Sequence, residues 1–412
     1  VDKITRRRFL TLTGVTAAGA LAVGATRIDW TDLLSAAQQN PLRPDAGVLV
    51  VVTLYGGNDG LNTVIPASDR AYHDARPDLA YKPEEVLALG EGLGLNPGMK
   101  GLKQAWDDKR LAVVRGVGYP KPDHSHFRSM AIWQTASPET ASKTGWLGRW
   151  LDATGDDPLR AVSVEPVLPP LLAGERTAGA SLPVTGLKLP TGDLGAAFAA
   201  LGQPQQGEPM WQARAARSVV DLQHAAQVLG GATHGSMQQA KTKAKPAGGA
   251  RYGALGAQLD LVAGLVEAGV PTRAYSVSLG GFDTHADERG TQQRLLTELD
   301  TALTPFVDRM RKTDRGKQVV VLVYSEFGRR VKANASQGTD HGTAGPMFLM
   351  GEGVKGGFYG TQPSLTDLDN GDLKETTDFR DVYGTVLEKV LGTDGGKVLG
   401  DHKGRLDGVL AT

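Results

Sequence analysis

The chain of 412 residues contains no cysteine, which excludes disulfides, thiolate metal ligands and a cysteine nucleophile. Any metal must be held by oxygen and nitrogen. Its 45 basic and 45 acidic side chains cancel, so no global field gathers nucleic acid or an anionic membrane. A small-molecule or surface-polymer partner is the easier one to defend. A bilayer-spanning run takes about 20 apolar residues, and the stretch from Thr11 to Ala25 is shorter and interrupted by Thr13, Gly14, Thr16, Gly19 and Gly24. No stable transmembrane anchor is expected. There is neither a Gly-x-Ser-x-Gly elbow nor a Walker motif, which removes support for ordinary serine-esterase chemistry and P-loop nucleotide hydrolysis. Gly351-x-Gly353-x-x-Gly356 fits a dinucleotide fingerprint, but Gly357-Phe358-Tyr359-Gly360 follows where a helix should begin.

What is present begins with Thr5-Arg6-Arg7-Arg8-Phe9-Leu10, paired arginines directly before a Phe-Leu step, followed by small and mildly apolar residues. That order reads as a twin-arginine export signal over 1–25. The expected location is therefore extracytoplasmic (periplasmic, cell-surface or secreted), with the twin-arginine translocase as a partner during export. Residues 26–412 are expected to form one domain, with a mobile Gly/Ala/Gln/Lys-rich loop over 230–249 that has few large apolar residues to order it.

Along that domain, apolar runs of strand length alternate with helical spacing. Val48 to Leu54, Leu111 to Arg115, Ala161 to Val164, Tyr275 to Leu279, Val319 to Tyr324 and Met347 to Met350 read as strands. Leu255, Leu259, Val262 and Val266 mark a helix, and Leu295 to Met310 marks another, with a bend expected near Pro305. Ser125 to Thr135 and Phe379 to Leu391 are two more helical segments. This rhythm predicts an α/β fold, a mostly parallel central sheet with helices on both faces. Ligands of such sheets collect at the carboxyl ends of the strands.

Polar clusters fall at those ends: Asp59, Asp283 with His285, Glu326, and Asp340-His341. Asp59 in Gly-Asn-Asp-Gly reads as a turn residue or as a ligand. Asp283 and His285 face one cleft if the chain is extended, or His285 bonds to backbone. Glu326, delivered by a buried strand, needs a partner, and a metal or Arg329 supplies one. His124-Ser125-His126-Phe127-Arg128 stands at a helix start, where Ser125 reads either as a cap or as a nucleophile aimed by the helix dipole. His126 or Arg128 is suited to substrate oxygens. Together these groups suit one or two divalent ions, Zn, Mn or Mg.

Leu54-Tyr-Gly-Gly-Asn-Asp-Gly-Leu-Asn62, Ser125-His-Phe127, Gly280-Gly-Phe-Asp-Thr-His285, Ser325-Glu-Phe-Gly-Arg329, Thr339-Asp-His-Gly342 and Asp378-Phe-Arg-Asp-Val-Tyr383 resemble the DUF1501 family of twin-arginine-exported proteins, within the alkaline phosphatase and sulfatase superfamily. The resemblance implies an alkaline phosphatase-like three-layer sandwich. It also implies a metal-dependent hydrolase of a phosphate or sulfate ester, with Asp59, Asp283, His285, Glu326, Asp340 and His341 as metal ligands. Ser125 would then be the nucleophile, and His126 and Arg329 would steady anionic oxygens. One departure stands out: where the phosphatases place Asp-His, this chain has Glu326-Phe327. The missing imidazole favours the alternative of a degenerate binding or envelope-assembly module, and the missing cysteine removes the usual formylglycine precursor of sulfatases.

Overall fold

A computed structural model describes residues 26–27, 30–140, 142–165, 167–182 and 254–411. The export signal and the 230–249 loop lie outside the described residues. The central sheet has ten strands: β1 Thr26–Arg27, β2 Val48–Tyr55, β3 Leu111–Gly118, β4 Ala161–Ser163, β5 Ala180–Ser181, β6 Ala274–Gly280, β7 Val319–Ser325, β8 Gly345–Met350, β9 Gly357–Tyr359 and β10 Thr377–Asp378. Their order is β1-β5-β4-β6-β2-β7-β8-β3-β9, with β10 also on β3. Every pairing is parallel except those that β8 makes with β7 and β3. The mostly parallel sheet read from the sequence is what forms.

The pleat sends alternate residues to opposite faces. In β2, Val48, Val50, Val52 and Leu54 join one core with α1 Trp30–Gln39, α3 Lys100–Asp107, α6 Ala254–Ala268 and α7 Glu288–Met310. Leu49 and Val51 join the other, with α4 His126–Thr135, α5 Trp146–Thr154 and α8 Phe379–Lys389. A short α2, Arg70–Ala75, packs in a third cluster with Ile65, while the rest of a small antiparallel sheet of Val64–Ile65, Leu87–Gly90 and Leu93–Leu95 joins the first core through Val64, Leu89, Leu93 and Leu95. The helix α7 continues through Pro305. No helix among the described residues is long and apolar enough to cross a membrane. Gly351, Gly353 and Gly356 lie in the turns between β8 and β9, with no helix after them.

Register decides where the polar motifs meet. Leu54 pairs with Ser325 and with Leu279, so β2, β6 and β7 end level with one another. Because β8 runs backwards, its first residue Gly345 pairs with Val117 near the carboxyl end of β3. The loops after β2, β3 and β6 and the loop joining β7 to β8 therefore share one edge. Leu322, fully buried in central β7, tests how far this register depends on packing: Leu322→Ala is expected to lower unfolding free energy by about 2–5 kcal/mol, read from a urea titration.

Candidate metal centre

At that shared edge one buried cation sets the loops. Arg329 is buried, and its Nε donates to the Gly57 carbonyl at 2.6 Å while Nη1 donates to the Thr339 carbonyl at 3.0 Å. Its Nη2 donates to the carbonyls of Gly56 and Phe282 and to Asp283 Oδ1, the last at 2.8 Å. The Gly56-Gly57 pair follows from this approach: Gly57 has φ +72°, and a Cβ there would lie 2.2 Å from the Phe327 ring. Gly342 has the same role in the Asp-His-Gly motif, where a Cβ would come within 2.4 Å of the Arg329 backbone. With all three nitrogens committed, Arg329 positions the loops and is not free to steady substrate oxygens.

Asp283 is the point of convergence. Its Oδ1 lies 2.9 Å from His285 Nε2, 3.2 Å from His341 Nε2 and 3.3 Å from His126 Nε2. His285 Nε2 and His341 Nε2 are 3.0 Å apart. The donors of His126, Asp283 and His341 lie within 4.8 Å of one another. Tetrahedral zinc with bonds of about 2.0–2.1 Å sets its donors about 3.3 Å apart, so the spacing fits an ion.

The protons make the stronger argument. His126 Nδ1 faces Glu326 Oε1 at 2.8 Å, and His341 Nδ1 faces the His124 carbonyl at 2.7 Å. Both are acceptors, so each Nδ1 carries the proton, and in the neutral ring each Nε2 presents a lone pair. Those lone pairs point at Asp283 Oδ1, itself an acceptor, and His126 Nε2 is buried without a hydrogen-bond partner. Lone pairs facing one another call for a metal ion or a proton between them. Burial by itself raises the Asp283 carboxyl, but the Arg329 guanidinium holds it well below the usual carboxylate range. It is ready to ligate. Burial, with the charge of Arg329, lowers the His341 imidazole against the opposing pull of Asp283, which favours the neutral ring a metal needs.

The remaining expected site residues take other places. Glu326 is buried, accepting from Gly56 N–H at 2.9 Å and from the Ser325 hydroxyl at 3.0 Å besides facing His126. It orients a ligand ring rather than joining the donor cluster. His126, expected at substrate oxygens, supplies a donor instead. Asp340 is exposed, with Oδ1 3.5 Å from His285 Nδ1 and 3.2 Å from the Asn334 amide nitrogen. Ser125 occupies the N-cap position of α4, but its side chain makes no capping bond and is exposed.

Asp59 is not brought to the cluster. Fully buried, it forms a two-pronged ion pair with Arg76, at 2.5 and 3.0 Å, and accepts from Leu61 N–H at 3.3 Å as the cap of a short turn. Although burial opposes ionisation, Arg76 keeps its carboxyl below the usual value. Beside it Glu288, also buried, accepts from the Thr339 hydroxyl at 2.5 Å through Oε2, while Oε1 has no donor facing it. Burial, then the Asp59 charge, pushes Glu288 up to about 9. A proton on Glu288 thus turns an acceptor clash into a hydrogen bond to Asp59. Glu288 and Arg76 carry no motif that sequence reading could have caught. His124 and Asp372 were missed too: the His124 ring is held by Asp372 at 2.8 Å, anchoring the carbonyl that fixes His341.

Residues 46–410 match the family described as Protein of unknown function (DUF1501). The chain belongs to this family. No curated protein matches it. Among solved structures it is similar to a protein in the alkaline phosphatase superfamily from Vibrio parahaemolyticus, at 11% identity and a TM-score of 0.40, over 93% of this chain and 80% of that one.

Two measurements follow from this geometry. Glu326→Gln is expected to weaken zinc or manganese affinity by about 10–100-fold, measured by competition with a chromogenic chelator; unchanged affinity would deny Glu326 its orienting part. The raised Glu288 carboxyl means that between its ordinary value of 4.5 and about 9 the folded chain keeps a proton that the unfolded chain releases. Stability therefore falls as pH rises across that window, by up to about 1.4 kcal/mol per pH unit. Glu288→Gln should flatten that part of the profile in denaturant titrations from pH 5 to pH 9, and a slope equal to wild type would contradict it.

Proposed function

We propose that this chain is an exported metal-dependent hydrolase of a phosphate or sulfate ester, the ester belonging to a small molecule or a surface polymer. The observation that carries the reading is the convergence of the His126 and His341 lone pairs on Asp283, each ring fixed from behind by an acceptor. His126, Asp283 and His341 would hold the ion, with His285 alongside. A divalent ion there supplies Lewis-acid charge to an anionic ester oxygen. Imidazole-rich donors favour zinc or manganese over magnesium.

The chain's own groups divide the remaining work. Glu326 and the His124 carbonyl orient the rings, and Arg329 holds Asp283 in place. Ser125, beside His126 at the first turn of α4 with its hydroxyl exposed, is the candidate nucleophile. Arg128, exposed one half-turn further on, is suited to the anionic oxygens that Arg329 cannot reach. Folding before export gives the twin-arginine route a physical reason, since such a site is assembled only in the folded chain.

A second reading, a non-catalytic binding or envelope-assembly module, is favoured by Phe327. Its ring centroid lies 4.9 Å from those of both His126 and His341, so carbon stands where the family resemblance calls for another imidazole.

Elemental analysis of protein purified without chelator is expected to give stoichiometric zinc or manganese, lost in Asp283→Ala. Absence of metal, with thermal stability unchanged in chelator, would sink both the site and the hydrolase. On a panel of phosphate and sulfate esters, turnover should require the metal and fall by orders of magnitude in Ser125→Ala. Metal binding with no turnover across the panel favours the second reading. Replacing Arg6 and Arg7 by lysine should leave the precursor in the cytoplasm on fractionation; normal export would remove the twin-arginine assignment.

A further inference from the structure

The opposite, amino-terminal edge of the sheet carries a second concavity. A cavity of about 700 Å³ opens between the chain entering β2, the turns before β4, β6 and β7, and the end of α8. That size is typical of small-molecule sites. Among the described residues, Arg43, Arg160, Arg273, Lys317 and Lys389 line it with Asp45 and Asp157, and Asp314 pairs with Lys317 at 3.1 Å. The chain as a whole carries no net charge, so this excess is a local arrangement.

The guanidinium groups are held in place. Arg273 donates through Nη2 to the Val390 carbonyl at 2.8 Å and through Nε, at 2.5 Å, to the Gly47 carbonyl. Arg160 donates to the Thr154 carbonyl and lies over the Trp150 ring at 4.9 Å. Arg43 is paired with Asp45 at 2.6 Å. Burial first, then the charges on Arg160 and Arg43, lower the hold of Arg273 on its proton, with Asp45 opposing them. Like charges fixed around a cleft, Arg160 and Arg273 partly buried and Arg43 exposed, concentrate a positive potential. An anion entering it relieves that repulsion; Nε and Nη2 of Arg43 and Arg273 are already engaged, so it meets fixed positive charge rather than an open fork. Leu42, Val320 and Leu410 supply apolar wall for a carbon body.

We propose that this cavity binds a small organic anion carrying more than one phosphate-like charge, at a site separate from the metal centre. Titration calorimetry of the full chain with inorganic pyrophosphate tests it. Wild type is expected to show saturable binding at one site, retained in His126→Ala. The Lys317→Glu/Lys389→Glu variant, which reverses charges at the mouth while leaving the arginines that hold backbone, should bind at least about tenfold more weakly. Lys82→Glu/Lys100→Glu changes net charge equally, elsewhere on the surface, and should bind like wild type. No saturable binding, or equal weakening in the two double variants, would overturn the proposal. Loss in His126→Ala would place the anion at the metal centre and overturn the second site while leaving the hydrolase reading intact.

Discussion

The site depends on the burial of one guanidinium. Arg329 carries a full charge out of water, a loss met only because four carbonyls and the Asp283 carboxylate surround its three nitrogens. Those acceptors belong to the loop after β2, the loop after β6 and the segment leading into β8. One planar fork therefore fixes the relative positions of three segments far apart in the chain. A lysine, with a single nitrogen, has no geometry to do this.

What Arg329 fixes, the sheet first brings within reach. Level endings of β2, β6 and β7 place their loops side by side, and the reversed direction of β8 adds Thr339 to Gly342 to the same edge. Glu326 and the His124 carbonyl then remove freedom from the two rings, so that protons sit on the far nitrogens and lone pairs face inward. The Asp59, Arg76 and Glu288 cluster underlies this arrangement through Thr339, whose hydroxyl bonds Glu288 and whose carbonyl bonds Arg329. Structural charges and donor groups thus share a framework without sharing roles.

The longer strands of the central sheet were legible because buried β-branched runs such as Val48 to Val52 have few other uses, and α6 and α7 because their apolar spacing is regular; α1, α2, α3 and α5 were not read. The short pieces Thr26–Arg27, Ala180–Ser181 and Thr377–Asp378 were not, since two residues carry no period. Among site residues, Asp283, His285 and His341 were legible as polar groups at strand ends. The parts of Asp59, Glu326, Arg329 and His126 were not, because an acid that ligates and an acid that orients or pairs look alike until the partner is known. Arg76 is the example: nothing in its neighbourhood announces that it takes both oxygens of Asp59.

By itself, then, the sequence determined the chemistry available: no thiol, an alternating α/β pattern, and carboxylates and imidazoles at the exits of apolar strands. These follow from composition and local periodicity, which act over a few residues. Tertiary structure alone decided which of those groups meet. Strand order and register operate across hundreds of residues, and tautomers are set by whichever acceptor stands behind each ring. Only there does Asp283 become the centre of a donor cluster, Glu326 its outer support and Asp59 the partner of a buried arginine.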